Sequence, residues 1–306
     1  MIRLSVTDES STLQSVVVGI ARSSGGQPKA DDCYDPKSLK HVLSGTYPTE
    51  DSMIAELAEF VAILKKYDVT VYRPEVIQDY NQIFTRDIGF VIEDVFIQSN
   101  ILPDRANELL GIKHIIDQMD PSKVIKLPEY CHVEGGDVIV HGDFIFVGTY
   151  FGADYSNYIT ARTNRAAIDS LQDLFPHKTI KAFELKKSNT DPLSNALHLD
   201  CCFQPLGRGK AIIHPGGFVH SEDAQWLIDF FGIDDVFLID AAAMTKMQSN
   251  IFSISDSVVV SEVQFTGLNR WLELQGFTVE AINFAEISKQ GGLLRCSTLP
   301  LERHAK

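Results

Sequence analysis

Asp137-Val-Ile-Val-His-Gly-Asp-Phe-Ile-Phe-Val147 sets two apolar runs around a polar turn, His141-Gly-Asp143. Val, Ile and Phe favour extended backbone and Gly tolerates a tight reversal, so the stretch reads as a β-hairpin. An amphipathic stretch of helical period follows at residues 164–175, and then a third apolar run, Ile180-Lys-Ala-Phe183. That last strand has counterparts at Val69-Thr-Val-Tyr72, Val124-Ile-Lys-Leu127, Val236-Phe-Leu-Ile239 and Thr278-Val-Glu-Ala-Ile282. Taken in order, the five starts lie 55, 56, 56 and 42 residues apart. Helical stretches precede the others at residues 53–64, 107–119, 221–231 and 267–275. In the first of these, Met53, Ile54, Leu57, Phe60, Val61 and Leu64 trace one face. Further hairpins read at Gly89-Phe-Val-Ile92 with Val95-Phe-Ile-Gln98, and at Asn250–Ile254 with Ser257–Val260. The fourth unit offers Cys202-Phe-Gln, a Gly-rich turn and Ala211-Ile-Ile. The first offers only Val16-Val-Val-Gly19. A hairpin–helix–strand unit repeated about every 50–55 residues suggests a radial or stacked array, here of five units. A three-layer doubly wound α/β sheet also alternates strands and helices and stays open at this point. In a closed ring, equivalent hairpin ends from different units would converge.

The 306 residues are 44% hydrophobic and 22% charged, which suits a globular chain, and we expect one domain over 1–306. A net charge of −14 with no basic patch argues against a nucleic-acid partner. No apolar run reaches the length of a membrane span, and residues 1–13 do not read as a secretory signal. Five cysteines at scattered positions, with no CxxC, point to free thiols in a reducing, cytoplasmic compartment.

Four segments place acidic and nucleophilic side chains where a buried strand should be apolar or just ending: Phe84-Thr-Arg-Asp87, His132-Val-Glu134-Gly-Gly-Asp137 and Leu197-His198-Leu-Asp200-Cys-Cys-Phe203, which open hairpins, and Gly291-Gly-Leu-Leu-Arg-Cys296-Ser-Thr-Leu-Pro300, which follows the final strand. Each has a plain structural reading. Asp87 with Arg86 suits a local ion pair, and Glu134-Gly-Gly-Asp137 suits a turn of positive-φ glycines with solvated acids. Strand alternation would put His198 and Asp200 on one face, with Cys201 and Cys202 as small core residues. Cys296 differs, because it follows two glycines in a segment without strand or helix pattern, and the neighbouring Arg295 would favour its thiolate. Together the segments hold a thiol, an imidazole and three carboxylates, at Asp87, Glu134 and Asp200. That set suits attack on a planar cation gripped by bidentate carboxylates.

At these segments, and over about residues 15 to 303, the chain resembles the guanidine-modifying enzymes: arginine deiminases, dimethylarginine dimethylaminohydrolases and amidinotransferases. The motifs look closest to arginine deiminase. Its N-x-x-F-x-R-D is matched by Asn81, Phe84, Arg86 and Asp87, its E-G-G-D by Glu134–Asp137, and its H-x-D by His198 and Asp200. The resemblance implies a five-bladed α/β propeller of pseudo-symmetric ββαβ units (the pentein fold). It implies Cys296 as nucleophile, His198 and Glu134 as proton-handling groups, and Asp87 and Asp200 as guanidinium clamps. Asn81 and Phe84 would line the substrate site. Arg105 and Arg162 are the candidates for a substrate carboxylate, their alternative being surface charges at helix starts. Arg162-Thr163-Asn164 also resembles the R-T-N of the dimethylarginine hydrolases. The implied reaction is hydrolysis of a small guanidino substrate, most of all L-arginine to citrulline and ammonia through a covalent thiouronium. Amidino transfer, arginine dihydrolysis and dimethylarginine hydrolysis are the alternatives on the same scaffold. No metal or organic cofactor is expected, since the substrate carries the positive charge, and a homodimer is a family expectation. Two departures stand out. No room exists between Arg73 and Asp87 for the helical insertion of arginine deiminases. Tyr150–Tyr158 forms an unusual segment, either a lid or a longer connection.

Overall fold

Apolar quartets with a two-residue turn close antiparallel pairs, whereas a parallel third strand needs a longer crossover, and this pair of constraints builds each unit. The computed structural model describes residues 1–304. Five central strands organise it: β1 (Thr12–Val18), β4 (Val95–Gln98), β7 (Phe144–Thr149), β10 (Ala211–Ile213) and β13 (Val258–Glu262). Four take an antiparallel neighbour that precedes them: β3 (Gly89–Ile92), β6 (Val138–His141), β9 (Phe203–Pro205) and β12 (Phe252–Ser255). All five take a parallel neighbour that follows: β2 (Thr70–Tyr72), β5 (Val124–Lys126), β8 (Thr179–Glu184), β11 (Val236–Leu238) and β14 (Thr278–Ile282). The strand missing before β1 comes from the other end of the chain. β15 (Thr298–His304) runs antiparallel to it, with Val17 opposite Leu299, so the first sheet is closed by the C-terminus. The result is a mixed α/β fold of five three-stranded sheets.

Four of the five crossovers are the helices read from sequence, at Glu50–Lys66, Arg165–Leu174, Ser221–Phe231 and Thr266–Leu274. In the first, Thr49 caps the start through Ser52 N–H and Lys65 and Lys66 face the C-terminal dipole. Met53, Leu57, Phe60 and Leu64 are buried, with Phe60 edge-on to Phe252 and Phe284 at 5.8 Å. Ile54, placed on the same face, is exposed.

Three readings need correction. The helix expected over 107–119 is broken into Glu108–Gly111 and Lys113–Ile116. The Gly111 carbonyl turns aside to accept Glu75 N–H at 2.7 Å, and glycine gives the helix little support there. His198 and Asp200 do not alternate along a strand. Leu199–Cys201 forms a single 3-10 turn, and the strand starts only at Phe203. The C-terminal segment after Cys296 is not patternless, since it becomes β15. All five cysteines are free thiols, and among the described residues no helix is long and apolar enough to cross a membrane.

Candidate active site

The five antiparallel edge strands begin at Gly89, Val138, Phe203, Phe252 and Thr298. Just ahead of them stand Asp87, Glu134, Asp200, Asn250 and Cys296, one from each unit. All five are buried. Their meeting depends on close backbone approach. A Cβ on Gly135 would lie 2.1 Å from Arg86 O. One on Gly136 would lie 2.6 Å from His198 Nδ1 and 3.0 Å from Asp87 Oδ1. Neither glycine has positive φ, and Glu134 and Asp137 are 0% exposed, so the E-G-G-D segment is no solvated turn. Asn250 fixes the loop that carries the thiol, its Oδ1 accepting from Leu293 N at 3.1 Å and Cys296 N at 3.0 Å. Asn250 opens the fifth hairpin, so the register of the repeat was the signal that could have singled it out.

A cavity of about 300 Å³ opens onto Asp87, His198 and Cys296, with Phe84, Asn81, Arg105 and Arg162 also in its wall. His198 Nε2 lies 2.7 Å from Glu134 Oε2, and Nδ1 lies 3.7 Å from Asp87 Oδ1. Burial disfavours the imidazolium, but Asp87, the Glu134 contact and Asp137 outweigh it and raise the His198 pKa to about 8. Burial also presses on Glu134, but Arg162 and His198 overcome it and hold this carboxyl well below its usual range. Asp200 backs the thiol, with its oxygens 3.7 and 3.9 Å from Cys296 Sγ. Burial and then Asp200 and Asp87 push the Cys296 thiol far up. The expected help from Arg295 is absent, because its guanidinium turns away to Asp200 at 2.8 Å and to Glu9 at 2.8 and 3.2 Å.

Several expected roles shift with these positions. Asp200 is not part of the cavity wall and lies behind Cys296, paired with Arg295. Arg105 and Arg162 are not surface charges at helix starts, since both are buried in ion pairs in the cavity wall. Arg105 binds Glu108 at 2.6 and 3.0 Å and Asp87 Oδ2 at 2.8 Å. Arg162 binds Glu134 at 2.9 and 3.1 Å and donates to the Ile159 and Tyr34 carbonyls. Arg86 reaches Glu9 at 3.9 Å rather than Asp87. Asn81 donates to Gln290 at 2.6 Å and accepts from Ile83 N. The segment Tyr150–Tyr158 stays outside the cavity wall, as a longer connection would. A different stretch, between Ser24 and Tyr47, contributes to that wall instead.

Asp87 Oδ1 is buried without a hydrogen-bond partner. Asp87, Glu134 and His198 offer ligand atoms within 4.8 Å of one another, the spacing of a metal site. Arg105 and Arg162 already sit on the two carboxylates, which disfavours a dication and leaves one oxygen suited to an N–H donor.

Residues 41–303 match the family described as N,N dimethylarginine dimethylhydrolase, eukaryotic. The chain belongs to this family of guanidine-modifying enzymes. It is 31% identical over 223 residues to the uncharacterized protein YkgA of Bacillus subtilis (strain 168), covering 72% of this chain and 70% of that one. The arginine deiminase of Streptococcus pneumoniae (strain Hungary19A-6) is 27% identical over 264 residues, and the match spans 73% of this chain and 61% of the deiminase. The fold is similar to the inosamine-phosphate amidinotransferase StrB1 from Streptomyces griseus, with a TM-score of 0.76, 17% identity, and 100% and 98% of the two chains covered. Members of this family modify guanidino groups, and the chain is an enzyme of that kind.

Proposed function

We propose that the protein hydrolyses a C–N bond of a guanidinium substrate with Cys296 as nucleophile, and that its five sheets are the blades of a five-bladed α/β propeller. One observation carries the chemistry: the unpartnered Asp87 Oδ1, the imidazole of His198 and the thiol of Cys296 face one cavity. Asp87 Oδ1 accepts a guanidinium N–H and holds the cation against the sulfur. That positive charge offsets the burial and the carboxylates that keep the thiol protonated, so Cys296 gives its proton to solvent when substrate binds.

The thiolate forms a bond to the guanidinium carbon, and the imidazolium of His198 gives its proton to the departing nitrogen. Ammonia leaves as the C–N bond breaks, and a thiouronium remains on Cys296. Neutral His198 then takes a proton from water, whose oxygen bonds to the same carbon. The S–C bond breaks, the ureido product is released, and the thiolate regains its proton. Glu134 orients the imidazole and favours its charged form, while Asp200 stays behind the sulfur. L-arginine giving citrulline and ammonia is the reference reaction.

The test is ureido product formation by wild type and by Cys296→Ala. The variant is expected to bind substrate and form no product. Turnover in Cys296→Ala would overturn the proposal. A new guanidino compound formed on adding an amine would make the reaction a transfer.

A further inference from the structure

Behind the wall of the substrate cavity lies a second and much smaller one. We propose that it binds a small monovalent anion, of the class of chloride, against the ammonium of Lys37. The cavity measures about 30 Å³, room for one or two water-sized groups. Lys37, in the first turn of the helix Pro36–Leu43, lines it together with Asn195. Lys37 Nζ is buried and has no hydrogen-bond partner in the protein, although part of its side chain reaches solvent. Burial outweighs the opposing pull of Asp35 and lowers the Lys37 pKa to about 8, so the ammonium is still charged at neutral pH. Asp35 spends its oxygens on the helix start instead. Its Oδ1 accepts from Lys37 N and Ser38 N at 2.9 Å, and its Oδ2 accepts from Ser38 Oγ at 2.5 Å.

The chemistry of this wall selects the ligand. Asn195 Oδ1 accepts from Ser188 N at 3.1 Å, which leaves the N–H groups of its amide for a ligand. Pro192, Leu197, Met244 and Met247 make much of the remaining wall apolar. A water would give Lys37 a hydrogen bond but no counter-charge, and a buried ammonium without one is costly. A cation is repelled, and a phosphate or an organic acid is too large for the volume. An anion of halide size supplies the charge and accepts from both donors. Its position gives it a task. Asp35, Leu197 and Gly291 line both cavities, and a Cβ on Gly291 would lie 2.7 Å from Asp35 Oδ1. The anion therefore joins the start of this helix to Asn195 directly behind the wall that the substrate cavity shares.

Two measurements on the full chain test the site, and neither needs turnover, so it stands or falls apart from the proposed hydrolysis. Crystals soaked in sodium bromide should show an anomalous peak in this cavity, within hydrogen-bond distance of Lys37 Nζ, and crystals of Lys37→Met should show none. That variant keeps the length of the side chain and removes an uncompensated buried charge, so it should fold. Melting temperatures are then read for both proteins in sodium chloride and in sodium gluconate of equal ionic strength, gluconate being too large to enter. The change from gluconate to chloride should favour the wild type over Lys37→Met by about 2–4 °C. No bromide peak in the wild type overturns the proposal and leaves Lys37 to water. An equal salt response in the two proteins also overturns it, since a peak would then mark binding at crystal concentration only.

Discussion

His198 owes its elevated pKa to partners, so changing one partner should move its titration. The folded value of about 8 lies above the ordinary 6.5. The contacts of the imidazolium therefore stabilise the fold at pH values below 6.5, and that contribution is lost as pH rises through about 8. If the imidazolium protonates the leaving nitrogen, kcat/KM should fall above the same pH. Glu134→Gln removes the carboxylate at 2.7 Å, so the alkaline limb should move to lower pH. A pH–rate profile with an unmoved limb would show that another group sets it. Gly136→Ala probes the same contact sterically. Its Cβ would fall 2.6 Å from His198 Nδ1, so the ring must shift. A displacement of this kind can cost about 100-fold in rate, which we expect in kcat with the fold intact by circular dichroism.

At the scale of elements, the loop that holds Cys296 is only as fixed as its anchor. Asn250→Ala leaves the N–H groups of Leu293 and Cys296 buried without their acceptor. Losing such partners costs about 1–3 kcal/mol each in buried sites, so urea unfolding should show a loss of that order and kcat should fall with it. β15 carries a heavier task, since it supplies the antiparallel partner of β1 and follows directly from the Cys296 loop. A chain stopped after Ser297 should fail to form its first sheet. Folded, active truncated protein would contradict the closure by the C-terminus.

Across the whole molecule, the N-terminal segment is tied to the site through buried charge. Glu9 binds Arg295, and Arg295 in turn holds Asp200 behind the thiol. Burial works against ionised Glu9, but Arg295 and Arg86 prevail and bring its pKa down to about 2. A depressed carboxyl stabilises the fold above its ordinary value of 4.5, and the gain is lost as pH falls towards 2. Glu9→Gln should thus lower stability at neutral pH by about 3 kcal/mol and flatten the acid limb of the unfolding curve. The repeat was legible because each unit carries its own apolar periodicity. Hairpin β3–β4 and strand β14 fall on the residues read from sequence. Closure by β15 was not, because it joins residues nearly 300 positions apart and leaves no local signal. The imidazole and carboxylates were legible as residue types at hairpin openings, and the thiol as a cysteine after two glycines. Which of them faces the cavity was not, because ion pairs between distant segments decide it, as with Asp200 and Arg295. The same pairing hid the fate of Arg105 and Arg162, whose partners Glu108, Asp87 and Glu134 come from separate turns.

The proposed reaction turns on a covalent bond between Cys296 and the guanidinium carbon. Acid quenching during turnover, followed by intact and peptide mass spectrometry, tests it most directly. We predict an added amidino-substrate mass on the peptide containing Cys296, absent from Cys296→Ala. Steady turnover with an unmodified Cys296 peptide at every quench time, or an adduct on another cysteine, would contradict it.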